Sequence, residues 1–175
     1  MIVTGGGPIG LLTVIAARAY GATTVALSDP VAERRQMALT LGADRALDPT
    51  EAAFKDQVAA LTGDGFDLLF EASGAPPALK QAFEVVRRGG TIVQIGVFSA
   101  PEIALPINQL LVRELQFVGS FRYGNVWEEA IRLVASGRVN LQPLISRVFP
   151  LRQAAEALAL AGAKTGVVKV QLDLQ

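Results

Sequence analysis

The chain has 175 residues, 16 basic against 16 acidic side chains and 51% hydrophobic residues, with neither Cys nor His. That length suits one domain with part of another, and a domain of this size buries roughly 70% of its unfolded surface without covalent staples. The balance of charge argues against nucleic acid, no uncharged run reaches the ~20 residues of a membrane span, and the lack of Cys and His excludes disulfides, Cys/His zinc sites and Ser-His-Asp or Cys-His catalysis.

The predicted elements alternate. Ile2–Thr4 reads as a first strand and Pro8–Tyr20 as a helix, with Pro8 in its first turn and Gly21 just past its end. Thr24–Ser28 is a second strand, Pro30–Leu41 a helix closed by Gly42, and Arg45–Leu47 a third strand ending in the turn Asp48-Pro49. Glu51–Leu61 is a helix, Leu68–Glu71 a fourth strand, and Pro77–Arg87 a helix stopped by Gly89-Gly90. Thr91–Ile95 and Gln116–Val118 complete six strands. Several of these are near-continuous apolar runs, as in strands covered by helices on both faces. The expectation is an α/β fold, a Rossmann-type doubly wound parallel sheet in the order 3-2-1-4-5-6, with ligand at the carboxyl ends where strands 1 and 4 diverge. After Tyr123 the pattern changes to a helix over Val126–Ala135, an extended Leu144–Phe149, a helix over Ala154–Leu160 and a strand over Val167–Leu172. Residues 1–123 are therefore assigned to the dinucleotide domain and 124–175 to a separate C-terminal segment. With no signal-peptide pattern, the expected compartment is the cytoplasm.

Gly5-Gly6-Gly7-Pro8-Ile9-Gly10 fits G-x-G-x-x-G between a strand and a helix. Gly5 permits the tight bend, Gly7 lets a pyrophosphate approach, and Gly10 brings helix and strand together, with the amides around Pro8 and Ile9 facing phosphate. Glycines in a turn also serve the turn alone. Asp29 adds weight: it ends the second strand, where an acid accepts hydrogen bonds from the adenosine ribose. It also opposes a 2′-phosphate, since two unit charges ~4 Å apart repel by about 1 kcal/mol in water and about 4 kcal/mol at intermediate dielectric. Asp29-Pro30 also reads as an ordinary helix cap. Arg34 pulls the other way, because a nearby arginine can hold a 2′-phosphate. Ala72, Ser73 and Gly74 follow the fourth strand as a floor under the adenine, and Gly96, Val97 and Phe98 follow the fifth on the nicotinamide side; both are placements by topology. NAD is the expected cofactor.

GGGPIGLLT, ALSDP, LGADRALDP, FDLLFEASG, RRGGTIVQIG and GVVKV, in that order, resemble the cofactor domain and C-terminal end of the medium-chain, zinc-containing alcohol dehydrogenase superfamily. Phe121-Arg122-Tyr123 is similar to a segment of its sorbitol and L-idonate 5-dehydrogenase branch. The resemblance implies reversible oxidation of a secondary alcohol or polyol by hydride transfer to NAD, with Arg122 and Tyr123 beside nicotinamide and substrate. It implies that the catalytic domain carrying the zinc is absent from this chain, so no residue here is assigned a catalytic or metal-binding role and turnover by the chain alone is not expected. Tail residues such as Leu144, Ile145, Val148 and Val167–Val170 would then lack their usual partners. A homodimer through edge strand Gln116–Val118 is also implied. Three other readings stay in view. One is a zinc-free NADPH quinone-type reductase, disfavoured by Asp29. Another is a non-catalytic NAD(H)-binding module. A short-chain dehydrogenase is rejected, because Ile9 stands where its turn needs glycine and no Tyr-x-x-x-Lys pair exists.

Overall fold

The computed structural model describes residues 1–163 and 166–174. In the first part of the chain, strands β1 (Ile2–Thr4), β2 (Ala26–Ser28), β3 (Arg45–Leu47), β4 (Phe66–Glu71), β5 (Val86–Gln94) and β6 (Gln116–Gly119) alternate with helices α1 (Pro8–Ala19), α2 (Ala32–Thr40), α3 (Phe54–Thr62), α4 (Pro76–Val85) and α5 (Ile107–Val112). The strands form one parallel sheet in the order β3-β2-β1-β4-β5-β6. This is the expected doubly wound Rossmann-type order, and the sheet reverses direction of growth between β1 and β4.

The core follows from the alternation of side chains along each strand. Ile2, Ala26, Leu69 and Ile92 join Phe54 and Val58 of α3 and Leu79, Ala82 and Phe83 of α4 in one buried cluster. The alternate positions Val3 and Leu27 are also fully buried, as are Leu11 and Val14 of α1. Phe83 meets Phe117 of β6 edge-on, ring centroids 6.0 Å apart. Full burial of such side chains stabilises by about 1.5–3 kcal/mol each.

Boundaries differ from expectation where tertiary contacts intervene. The helix expected over Pro77–Arg87 ends at Val85, and Val86 is already extended and paired with Phe66. Arg113 explains the stop: its guanidinium donates to the carbonyls of Phe83 and Val86, which a longer helix would use internally. Gly65, at φ +121°, leaves room for this segment, since a Cβ there would stand 2.6 Å from the Arg87 amide nitrogen. The third helix starts at Phe54 rather than Glu51, because Asp48 first turns the chain by accepting from the Thr50 amide and hydroxyl. Helix α5 was not foreseen.

The chain divides into two compact units, Met1–Gly124 and the residues from Asn125 onward. In the second, α6 (Trp127–Ala135) precedes β7 (Ile145–Pro150), α7 (Ala154–Ala161) and β8 (Lys169–Asp173), and β7 and β8 pair in parallel as a sheet of their own. Leu144, Phe149 and Ala157 of this second unit are buried. Val148 stays half exposed, and α6 buries none of its residues, leaving Trp127 and Ile131 exposed.

Candidate functional site

The carboxyl ends of β1, β2, β4 and β5 converge beside the glycine turn. Gly5 has φ +95°, and a Cβ on it would fall 2.8 Å from the Cα of Ser73. Gly10 is packed still more closely: a Cβ there would lie 1.8 Å from the Gly5 carbonyl oxygen. These two glycines are required by the protein itself. Gly7 is different. Its φ of −75° suits any residue, and its missing Cβ faces open space with nothing within 4 Å. Nothing in the chain requires glycine there, whereas a ligand lying against the backbone does. Gly7 is the N-cap of α1, no side chain caps that helix, and Pro8 has no amide hydrogen. The first-turn amides, including that of Ile9, are therefore left for an anion.

Asp29 closes β2 and is only 3% exposed. Its Oδ2 accepts from the Gly6 amide at 2.7 Å and its Oδ1 from the Val31 amide at 2.8 Å. The same carboxylate thus holds the glycine turn and caps the entry to α2. Each oxygen keeps a second acceptor position in principle. Arg34 lies over it, with Nη1 3.6 Å from Oδ2, and its Cβ occupies the space that a Cβ on Gly6 would need, 2.8 Å away. Arg35 donates to the Asp29 carbonyl at 2.7 Å and to Asp48 at 2.8 Å. The Asp48 carboxyl is held below its ordinary range, chiefly by the Thr50 hydroxyl and amide and then by Arg35.

The floor is built by the loops after β4 and β5. The Ala72 amide donates to the Thr4 carbonyl at 2.9 Å, and Ser73 presses against Gly5. A Cβ on Gly74 would lie 2.5 Å from the Val97 carbonyl, and one on Gly96 2.4 Å from the Gly74 nitrogen, so the two loops interlock. Val97 is exposed at this edge, whereas Phe98 turns back onto the core cluster. The β6 strand delivers Phe121, Arg122 and Tyr123 past its carboxyl end; Arg122, at φ +62°, stacks over Phe121 at 4.9 Å, and Tyr123 is exposed.

The structure brings together the glycine turn, Asp29, Arg34, Ser73 and Gly96. Sequence reasoning missed Gly6, Arg35, Gln94 and above all Glu71. Glu71 is fully buried at the end of β4 and accepts from the Ser73 amide (2.8 Å), the Gly74 amide (3.1 Å) and Gln94 Nε2 (2.6 Å). The signal was present: an acid ending an apolar strand beside β1 must be satisfied locally or face a ligand.

A family described as zinc-binding dehydrogenase matches residues 8–136. The chain belongs to the zinc-binding dehydrogenase family. It is 39% identical over 173 residues to a sorbitol dehydrogenase of Gallus gallus, covering 95% of this chain and 48% of that protein. The crystal structure of L-idonate 5-dehydrogenase from Escherichia coli K-12 superposes with a TM-score of 0.91 at 34% identity, over 99% of this chain and 49% of the other. A zinc-binding dehydrogenase from Sinorhizobium meliloti 1021, solved bound to NADP, matches with a TM-score of 0.89 at 36% identity, over 99% of this chain and 52% of the other. This zinc-binding dehydrogenase chain thus spans about half the length of the relatives it matches. Its own residues do not fit the metal in the family's name. The sequence has no Cys or His, and the described residues contain no group of three metal-ligating side chains. They do fit a dinucleotide, on the open approach at Gly7. No helix among the described residues is long and apolar enough to cross a membrane.

Proposed function

We propose that this chain is the NAD-binding portion of a polyol or secondary-alcohol dehydrogenase of the sorbitol and L-idonate type. The observation that carries this reading is Gly7, whose glycine is unexplained by fold or packing and explained by a pyrophosphate lying against α1. Gly5, Gly7, Gly10 and the Ile9 amide hold the phosphates, with Pro8 starting the helix. Asp29 receives the adenosine ribose, and Ala72 and Ser73 form the floor. Gly96 and Val97 shape the nicotinamide side, and Phe98 anchors their loop on the core. Arg122 and Tyr123 stand toward the substrate. The nicotinamide supplies the hydride acceptor; the chain's residues bind and orient it. No catalytic acid or base is assigned among them, and the zinc ligands belong to a catalytic domain outside this chain. Residues 124–175 complete that domain, and edge strand β6 forms the homodimer contact.

A second reading, NADP in place of NAD, is favoured by Arg34 beside Asp29 and by the NADP in the Sinorhizobium relative. Asp29 supports NAD, since its charge opposes a 2′-phosphate by about 1–4 kcal/mol. Calorimetric titration of the full chain should show NADH binding about 5-fold or more tighter than NADPH. Tighter NADPH binding would falsify the NAD assignment, and alcohol-dependent NADH production by the metal-stripped chain would refute the absence of turnover.

A further inference from the structure

We propose that Glu71 is a positioning residue for the dinucleotide, fixing through two loops both the floor after β4 and the nicotinamide-side wall after β5, while Asp29 anchors the adenosine ribose. The inference rests on the dinucleotide reading above.

Glu71 has no exposed surface, and among the described residues its carboxylate is held by neutral donors alone: Thr4, Ser73, Gly74 and Gln94. Oε1 accepts from the Ser73 amide at 2.8 Å, the Ser73 hydroxyl and the Gly74 amide at 3.1 Å, and Thr4 Oγ1 stands 3.4 Å away. Oε2 accepts from Gln94 Nε2 at 2.6 Å and the Gly74 amide at 3.2 Å. Gln94 Nε2 also donates to the Gly96 carbonyl at 2.6 Å, and the Gly96 amide donates back to the Glu71 carbonyl at 2.8 Å. One carboxyl group therefore ties β1, the loop after β4 and the loop after β5 at the point where the sheet reverses.

Each of these ties bears on the cleft. Ser73 is the group that meets Gly5, so its position sets the back of the phosphate turn. Gly96 must be glycine partly because a Cβ would stand 2.6 Å from Glu71 Oε2, which draws the β5 loop in against β4. Gln94 directs both of its amide donors into this arrangement, and its own Oε1 is buried without a protein partner among the described residues. The adenosine end has a separate anchor, because Asp29 reaches Gly6 and Val31 and shares no hydrogen bond with Glu71.

Glu71→Gln tests this, since it keeps the shape but replaces an acceptor by a donor. Whichever end of the amide carries nitrogen, its N–H confronts donors already in place: Ser73 and Gly74 on one side, Gln94 and Gly74 on the other. For the full chain, titration should show NADH affinity falling about 10-fold or more, while 5′-AMP affinity, which depends on the Ser73 floor and not on the Gly96 wall, falls by less. Hydrogen exchange at the Ser73 and Gly74 amides should quicken. Val58→Ala, in the buried cluster on α3, controls for general weakening: it should melt lower and keep its NADH affinity. Unchanged NADH affinity in Glu71→Gln, or equal losses for NADH and 5′-AMP, overturns the proposal. Should that variant not fold, Gln94→Met removes one arm alone and should still cost about 3-fold in NADH affinity, and no loss overturns it equally. A wild-type chain that takes up neither NADH nor NADPH defeats the dinucleotide reading instead, while the exchange at Ser73 and Gly74 still reports whether Glu71 holds the loop.

Discussion

At the scale of the residue, Gly7 and Gly10 separate what the fold needs from what a ligand needs. A methyl on Gly10 would collide with the Gly5 carbonyl oxygen, so Gly10→Ala must push α1 off β1, at a cost of about 3 kcal/mol or more. Gly7 has no such constraint, and its extended φ and ψ of −75° and −178° are those of an ordinary N-cap. Gly7→Asp should therefore stabilise the chain, because aspartate caps α1 and its charge suits the helix dipole, together contributing about 0.5–1 kcal/mol. The same side chain fills the space a pyrophosphate would occupy and repels it, so NADH affinity should fall about 100-fold or more. Thermal melting and titration on one sample check the pair of effects. A variant that melts higher and binds NADH normally would show that the open face at Gly7 serves no ligand. The glycines of the turn were legible in the sequence because each spacing has a mechanical meaning. Glu71 was legible only as an acid ending an apolar strand, because its partners depend on β1, β4 and β5 meeting, which only the folded sheet brings about.

At the scale of the element, a small clamp sets the geometry of the α1–β2–β3 edge. The Asp44 Oδ2 accepts from the Val25 amide at 2.7 Å, its Oδ1 pairs with Arg18 from the last turn of α1, and Arg18 Nε reaches the Gly42 carbonyl at 2.6 Å. The Val25 hydrogen bond is the main cause holding the Asp44 carboxyl below its ordinary value of 3.8; burial opposes it, and Arg18 adds to it. A depressed folded value means stability that is present above 3.8 and lost as pH falls through the lower folded value. Asp44→Asn should accordingly lower the melting temperature near neutral pH by about 3 °C, for a partly solvated contact worth about 1 kcal/mol. The difference between variant and wild type should close as pH drops below 3.8. Asp48 and Asp67, also shifted down, are present in both proteins and cancel from the difference. A melting difference that persists at acid pH would assign the effect to shape rather than charge. Strand β3 was read from sequence with its bounds intact because Gly42 and Asp48-Pro49 punctuate it on both sides. Helix α5 left no such trace: six residues after Pro106 are too few for a helical period to show against Leu110, Leu115 and Phe117, which belong to the same apolar stretch. The end of α4 was misread for a related reason, since Arg113 closes it from 30 residues away in sequence, counted from Phe83.

At the scale of the whole molecule, the open sheet has two edges, and they are not equivalent. The β3 edge is three residues long and begins with exposed Arg45, a short charged strand of the kind that resists further pairing. The β6 edge carries Val118, 46% exposed, within Gln116–Gly119, and the neighbouring α5 adds exposed Ile107, Leu111 and Val112. An apolar edge flanked by apolar helix surface is relieved by pairing with its own copy about a two-fold axis, which joins two sheets without altering either. The cleft is two strands away, at the junction of β1 and β4, and each copy holds all of its own cleft residues. Dimerisation and NADH binding should therefore separate. On the β6 homodimer contact proposed above, Val118→Lys places a charge on the edge strand and should leave the chain monomeric in sedimentation at micromolar concentration where the wild type is dimeric, while NADH affinity stays within about 2-fold because no cleft residue is moved. A variant that remains dimeric would move the interface away from β6. A monomer that also loses NADH would mean that the edge strand supports the nicotinamide wall, through the contact between the Ser120 amide and the Gln94 carbonyl at 2.9 Å, and that assembly and cofactor binding are coupled across β5.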